Sequence, residues 1–198
     1  MKRFAIAAAC ATALGAGTLP AAAEPETYVL DSGHSQVLFS YQHLGFSTTW
    51  GIFSGWEGEI SFDPDEPEAS TVEVSIPTRE MFTGWEARYT HFMTDDFFGA
   101  EENEMISFAS TGIEVTGDST ALITGDLTVN GITKPVVLEA ELTQAGTHPM
   151  EDKPWLGFHA TTTLKRSGFG MGAYAPAVSD DVNVEISIEA MQVDDSES

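Results

Sequence analysis

The sequence predicts an all-β protein, an eight-stranded antiparallel up-and-down barrel with one short helix in the connection spanning residues 78–104. Three observations point to it. From Gln36 onward, eight successive runs alternate apolar and polar residues with period two, the mark of strands with one buried and one wetted face. Two of the runs meet at Asn130-Gly131, a strong hairpin signal, because a type I′ turn needs positive φ at both central positions. The runs are roughly eight to twelve residues long in meander order, with few connections long enough for a Greek-key crossing. A two-sheet sandwich is the competing architecture, since it also buries one face of every strand.

In the first run Val37, Phe39 and Tyr41 alternate with Gln36, Ser40 and Gln42. In the second, Ile52, Trp56, Ile60 and Phe62 share a face against Glu57, Glu59 and Ser61, and Asp63-Pro64-Asp65-Glu66-Pro67 ends it. The third carries Val72, Val74 and Ile76. The fourth carries Ile106 and Phe108, then Ile113 and Val115 after a parity slip near Gly112 that reads as a bulge. Between these two, Trp85, Tyr89 and Phe92 fall at helical spacing, followed by the loop Asp95-Asp96-Phe97-Phe98. A two-residue turn at Asn130-Gly131 makes Val129 and Ile132 partners, so Ile123, Leu127, Val136, Leu138, Ala140 and Leu142 share one face of the fifth and sixth runs. Phe158, Ala160 and Leu164 form the apolar face of the seventh. Val182, Val184, Ile186 and Ile188 form that of the eighth. Residues 166–181 are an irregular, Gly-rich stretch containing Phe169, Met171 and Tyr174.

The two ends read differently. Lys2 and Arg3 precede an apolar stretch from Phe4 to Leu19 and the small residues Ala21-Ala22-Ala23, the pattern of a cleaved signal peptide over residues 1–23. One domain then spans 24–191, and 192–198 read as a solvated acidic tail. The expected location is periplasmic. No other segment approaches the length and apolarity of a membrane span. The single cysteine, Cys10, lies inside the leader, which leaves the mature chain no thiol or disulfide. Against 31 acidic side chains stand 8 basic ones, a formal charge of −23, so phosphate-rich nucleic acid is excluded as a partner and charge-driven docking on an anionic membrane is disfavoured.

The inward face mixes bulk and space. Phe39, Tyr41, Trp56, Ile60, Phe62, Val74, Phe108, Leu127, Leu138, Phe158 and Ile186 are its large members. Ser54, Gly58, Ser110, Gly125, Ala140, Ala160 and Thr162 leave room beside them. Such a mixture either fills a solid core or lines a tubular apolar cavity. Outside the strands, Leu44-Gly45-Phe46, Trp50, Trp85, Phe92, Phe97, Phe98 and Phe169 form either a lid over such a cavity or a plug. Among the few cations, Arg88 and Arg166 stand beside these aromatics and suit either an anionic head group or a structural ion pair. By the hairpin register Lys134 faces inward, unless Pro135 breaks it. Asp31, His34 and Ser35 are too close along one strand to make a triad, and the five histidines show no metal-ligand spacing, so no catalytic residue and no metal are expected.

Taken in order and spacing, several motifs resemble the YceI-like family of secreted, lipocalin-like polyisoprenoid-binding proteins. They are Tyr28-Val29-Leu30-Asp31 with His34-Ser35, His43-Leu44-Gly45, Gly55 through Phe62 with Asp63-Pro64, Glu86-Ala87-Arg88 with His91, and Asp96-Phe97-Phe98. Gly125-Asp126-Leu127-Thr128 with Gly131, Thr133-Lys134-Pro135-Val136, and Arg166-Ser167 with Phe169-Gly170-Met171 continue the match. The resemblance implies a barrel whose elongated pore takes a long isoprenoid chain of polyprenyl or quinone type. It also implies periplasmic export and no resident cofactor. Departures stand at Trp85, Met93, Asn130 and Gly168, where the family usually has Asn, a basic residue, His and Asp.

The expected function is therefore non-catalytic binding, transport or storage of a long-chain isoprenoid lipid. The loop aromatics and cations place the mouth and head-group contacts at Trp85, Arg88, His91, Phe92, Phe97, Phe98, Arg166, Phe169 and Met171. A periplasmic stress or interaction protein without a lipid is the alternative, an esterase-like enzyme the third. Whether the protein is a homodimer stays open.

Overall fold

The computed structural model describes residues 25–193. The leader expected over 1–23 and residues 194–198 of the expected acidic tail lie outside the described residues. The strands are β1 (Glu26–Leu30), β2 (Gln36–His43), β3 (Ser47–Phe53), β4 (Glu57–Phe62), β5 (Thr71–Pro77), β6 (Met81–Phe82), β7 (Met105–Val115), β8 (Thr120–Val129), β9 (Ile132–Thr147), β10 (Pro154–Lys165) and β11 (Asp181–Gln192). One helix, α1 (Glu86–Phe92), follows β6.

Pairing runs β1-β4-β5-β7-β8-β9-β10-β11, and β11 pairs back with β1, which closes the ring. β2, β3 and β6 continue three of these staves rather than adding new ones. β11 pairs with β1 through Leu30↔Ala190 and with β2 through Ser187↔Gln36 to Asn183↔Ser40. β3 pairs with β2 and β6, while β4 pairs with β1 and β5. The barrel thus has eight antiparallel staves in meander order, as the alternation predicts, and the sandwich is excluded. Its first three staves, β1/β2, β3/β4 and β5/β6, are each broken, at 31–35, 54–56 and 78–80.

The breaks correct three expectations. The first stave begins at Glu26, ten residues before the first alternating run. Trp56 sits in a break, not on a strand. Ile52 pairs with Leu38 and Phe82 on the outer face, while Phe53 points inward; the break shifts the side-chain parity by one, and a one-residue slip exchanges faces.

Local chemistry holds each break. The Asp31 carboxylate accepts the Gly33 N–H at 2.9 Å, an Asx turn, and its carbonyl accepts the His34 N–H. The Ser54 N–H donates to the Glu80 carbonyl, tying the second break to the third. Thr78 donates through both its N–H and its hydroxyl to the 103–104 main chain, each at 2.7 Å. The long staves β7 to β11 are continuous. They carry the expected bulge between Ser110 and Gly112, and a second between Gly157 and Phe158. Asn130 and Gly131 have φ of 51° and 68°, and Val129 pairs with Ile132 as the turn requires.

Candidate functional site

An apolar cavity of about 870 Å³ runs through the barrel, toward the upper part of the range for small-molecule sites. All eleven inward residues expected to line it, from Phe39 to Ile186, border this space. Phe53, Thr49 and Val178 also border it and escaped the sequence reading. For Phe53 the turn-forming Ser54-Gly55 was the available signal, since it marks where the parity resets. The inner wall alternates rings with gaps. Phe39 packs on Phe53 at 5.5 Å between centroids, and Phe62 on Phe158 at 6.3 Å. Ala140 and Ala160 stand opposite one another in the β9–β10 ladder and keep the bore open there.

Several small residues do not leave the space expected of them. A Cβ at Gly125 would overlap the Phe108 ring, and one at Gly51 the Phe39 ring, so each glycine seats a phenylalanine rather than a ligand. Gly58 faces the Glu73–Val74 main chain, Ser54 is exposed, and the Ser110 hydroxyl accepts the Val72 N–H. Lys134 pairs with Leu127 as the register requires. At that end, however, its stem passes beside Gly168, outside the cavity wall, and the side chain is exposed.

The nine residues expected at the mouth converge on one end of the barrel, where all of them border the cavity. Phe92, Phe97, Phe169 and Met171 are buried and form a plug. Phe92 packs at a tilt against Tyr41, Phe97 and Phe98. His91 packs edge-on to Phe97 at 5.0 Å and to Tyr174 at 6.0 Å. Trp85 precedes α1 rather than lying on it, and is exposed. The lid and the plug are therefore both present, as an inner layer of buried rings beneath an outer rim.

The two arginines have different employment. Arg166 is buried. Its Nε donates to the Ser179 carbonyl at 2.8 Å, one terminal nitrogen to Met171 and Ala173, and the other to Val178 at 2.9 Å. Burial pulls its pKa below the usual guanidinium value. Its expected role as a free head-group fork is corrected, because the main chain of residues 171–179 occupies four of its five N–H groups. Arg88 donates once, to the Thr83 carbonyl at 2.9 Å, and its guanidinium lies 5.6 Å from the Trp85 ring centroid. Among the described residues it has no carboxylate within ion-pair distance.

Outside the cavity, at the first break, His34 Nδ1 lies 2.6 Å from Asp31. This bond holds the Asp31 carboxyl below its ordinary range and lifts the His34 imidazole above its own, with Glu189 adding to the latter. Asp31, His34 and Glu189 come within ligand distance of one another, although the sequence spacing gave no hint of a cluster. The Ser35 hydroxyl donates to the Glu189 carbonyl and accepts its N–H, both at 3.2 Å.

Residues 28–190 match the family model for the YceI-like domain. A UPF0312 protein of Pseudomonas savastanoi is 37% identical over 189 residues, which cover 92% of this chain and 95% of that one. The crystal structure of a Campylobacter jejuni YCEI protein is 30% identical and superposes with a TM-score of 0.70 over 77% of this chain and 90% of its own. A polyisoprenoid binding domain from Saccharophagus degradans, implicated in plant cell wall breakdown, shares the fold at 13% identity, with a TM-score of 0.63 over 84% of this chain and 98% of its own.

Proposed function

The chain belongs to the YceI-like family, and on that premise we propose that it binds one long-chain isoprenoid lipid, of polyprenyl or quinone type, in the barrel interior and moves or stores it in the periplasm without catalysing a reaction. The observation that carries this reading is the apolar cavity of about 870 Å³ bordered by all eight staves. Apolar surface left open to water is unfavourable by roughly 25 cal/mol per Å². An apolar chain filling the bore recovers that free energy, and a polar metabolite does not.

The lining from Phe39 to Ile186 would hold the chain, and the rim at Trp85, Arg88 and His91 would meet its head. Arg88 is the cation suited to an oxygen-bearing head group, since its fork is largely unused and lies at the bore's end. The polyisoprenoid-binding description of the Saccharophagus degradans domain accords with this choice of ligand. Ser35, held at both its donor and its acceptor by Glu189, offers no nucleophile to His34, which supports a binding rather than a hydrolytic role.

Mass spectrometry of an organic extract from natively purified protein tests the reading. A prenyl lipid at one per chain is the expected result. Extracts containing only detergent or mixed phospholipid in trace amounts would overturn it in favour of an interaction protein without a lipid.

A further inference from the structure

Among the described strands, one sector of the outer surface carries no charged side chain. β2, β3 and β6 contain no Asp, Glu, Lys or Arg, whereas every other strand contains at least one. From Ser32 to Trp56 there is no such residue at all, in a chain with 31 acids. Among the described residues, five of the ten exposed large apolar side chains, Leu44, Phe46, Trp50, Phe82 and Trp85, lie on or beside these three strands. Phe46, at the tip of the β2–β3 hairpin, is 91% exposed, and Trp50 and Phe82 are 51% and 69% exposed. Ile52 pairs with Phe82 on the outer face, and Trp50 lies two residues along from Ile52 on that face, so the three are contiguous. Trp85 and Leu44, both exposed, carry the patch round the rim to the cavity itself.

We propose that this face, the outer side of β2, β3 and β6 with the Phe46 tip, docks on the interfacial layer of a zwitterionic phospholipid bilayer and sets the cavity mouth against the lipid. The inference rests on the lipid-binding reading above, because a ligand that is itself insoluble has to enter from a bilayer through the rim. Trp and Phe side chains suit the headgroup boundary, where an apolar body is buried and any polar edge stays wet. Charge complementarity selects the lipid. A body of net charge −23 is repelled by an anionic surface, and a charge-free face removes that repulsion only where the surface is neutral. Exposed apolar residues scattered singly, such as Met150 and Val137, are ordinary; a contiguous run of them on the one uncharged sector marks an interaction surface.

Flotation of the purified protein with phosphatidylcholine vesicles free of isoprenoid tests the proposal. The wild type is expected to float, and Trp50 and Trp85 to be quenched by brominated acyl chains. The double variant Phe46→Ser, Phe82→Ser changes only exposed side chains that do not border the cavity. Its partitioning should fall by about tenfold or more, since each ring loses apolar burial, while the prenyl lipid retained per chain is unchanged. Vesicles rich in phosphatidylglycerol should bind less at low salt and recover as salt screens the repulsion. Equal flotation of wild type and variant overturns the proposal, as does a wild type that stays in solution. A concentration-dependent dimer that the double variant breaks overturns it as well and assigns the face to a second copy. Vesicle binding by a protein that retains no prenyl lipid would leave the docking face standing and remove the proposed ligand.

Discussion

The two halves of the barrel are built on different terms. β7 to β11 are long unbroken staves, with acids on every one but β10 and pairing along most of their length, joined by short connections except for residues 166–180 between β10 and β11. β1 to β6 make three staves in six pieces, joined across their breaks by an Asx turn and a few main-chain bonds. The continuous half supplies a wall. The broken half supplies most of the mouth, because α1 and the 93–104 segment fill the region beside β6 and the uncharged hairpin lies at its edge, while the β10–β11 connection adds Arg166, Phe169 and Met171. A closed barrel has no free edge. An opening for ligand therefore belongs where pairing is interrupted, and that is where the aromatic rim sits.

Arg166 couples the halves, which makes it the largest test of the contrast. It follows β10 and gathers the carbonyls of residues 171–179; that loop in turn binds the β2–β3 hairpin through Ala177 to Leu44 and Ser179 to Gln42. Arg166→Met should cost about 3–5 kcal/mol in chemical denaturation, because several buried carbonyls lose a charged donor at once. Protection from hydrogen exchange should vanish first in β2 and β3. A stable variant that only loses ligand would show that the arginine serves the head group after all.

Arg88 tests the rim itself. Arg88→Met keeps the apolar stem and removes the fork. Affinity for a prenyl lipid with an anionic head should fall by ~1.5–3 kcal/mol, the range for a hydrogen bond to a charged group, with little change for a headless hydrocarbon of equal length. Titration calorimetry with both ligands checks it.

The ring-on-glycine pairs compare the halves directly. At Gly51 an added Cβ meets only the Phe39 ring, whereas at Gly125 it meets the Phe108 ring and also the Ala109 carbonyl at 2.6 Å. Gly51→Ala in the broken half is expected to cost ~1 kcal/mol and Gly125→Ala in the continuous half ~2–3 kcal/mol, within the range for overpacking. Equal unfolding free energies for the two variants would mean that the breaks give no added compliance.

Ala160→Trp sharpens the contrast from inside the wall. Filling an empty bore should change stability by less than ~1 kcal/mol while abolishing prenyl uptake; a solid core would instead lose ~1–3 kcal/mol.

The smallest effect lies at the first break. His34 titrates above its ordinary value, so its contribution is full below that value and disappears as pH rises through the raised one. Asp31 titrates below its ordinary value, so its contribution is full above that value and disappears as pH falls through the lowered one. The pair is complete between these limits, at mildly acidic pH. Asp31→Asn should return the His34 midpoint, followed by NMR, toward that of a free imidazole.

By itself the sequence determined the number of staves, their order, the β8–β9 register and most of the large inward residues. Period-two alternation is local: each residue reports its own face through its neighbours two away, and Asn130-Gly131 fixes a register within two residues. Tertiary structure alone decided where the staves break. Alternation at Ile52, Trp56 and Ile60 runs through the second break without a visible fault. Only the pairing of β3 with β6, and of β4 with β5, shows that Ile52 faces out and Phe53 in. It also decided what the arginines do. Arg166 is four N–H groups deep in carbonyls that lie five to thirteen residues further along the chain, while Arg88 keeps most of its own. Hydrogen-bond partners of a long side chain are set by which loops the closed barrel brings to one end, and no spacing in the sequence encodes that distance.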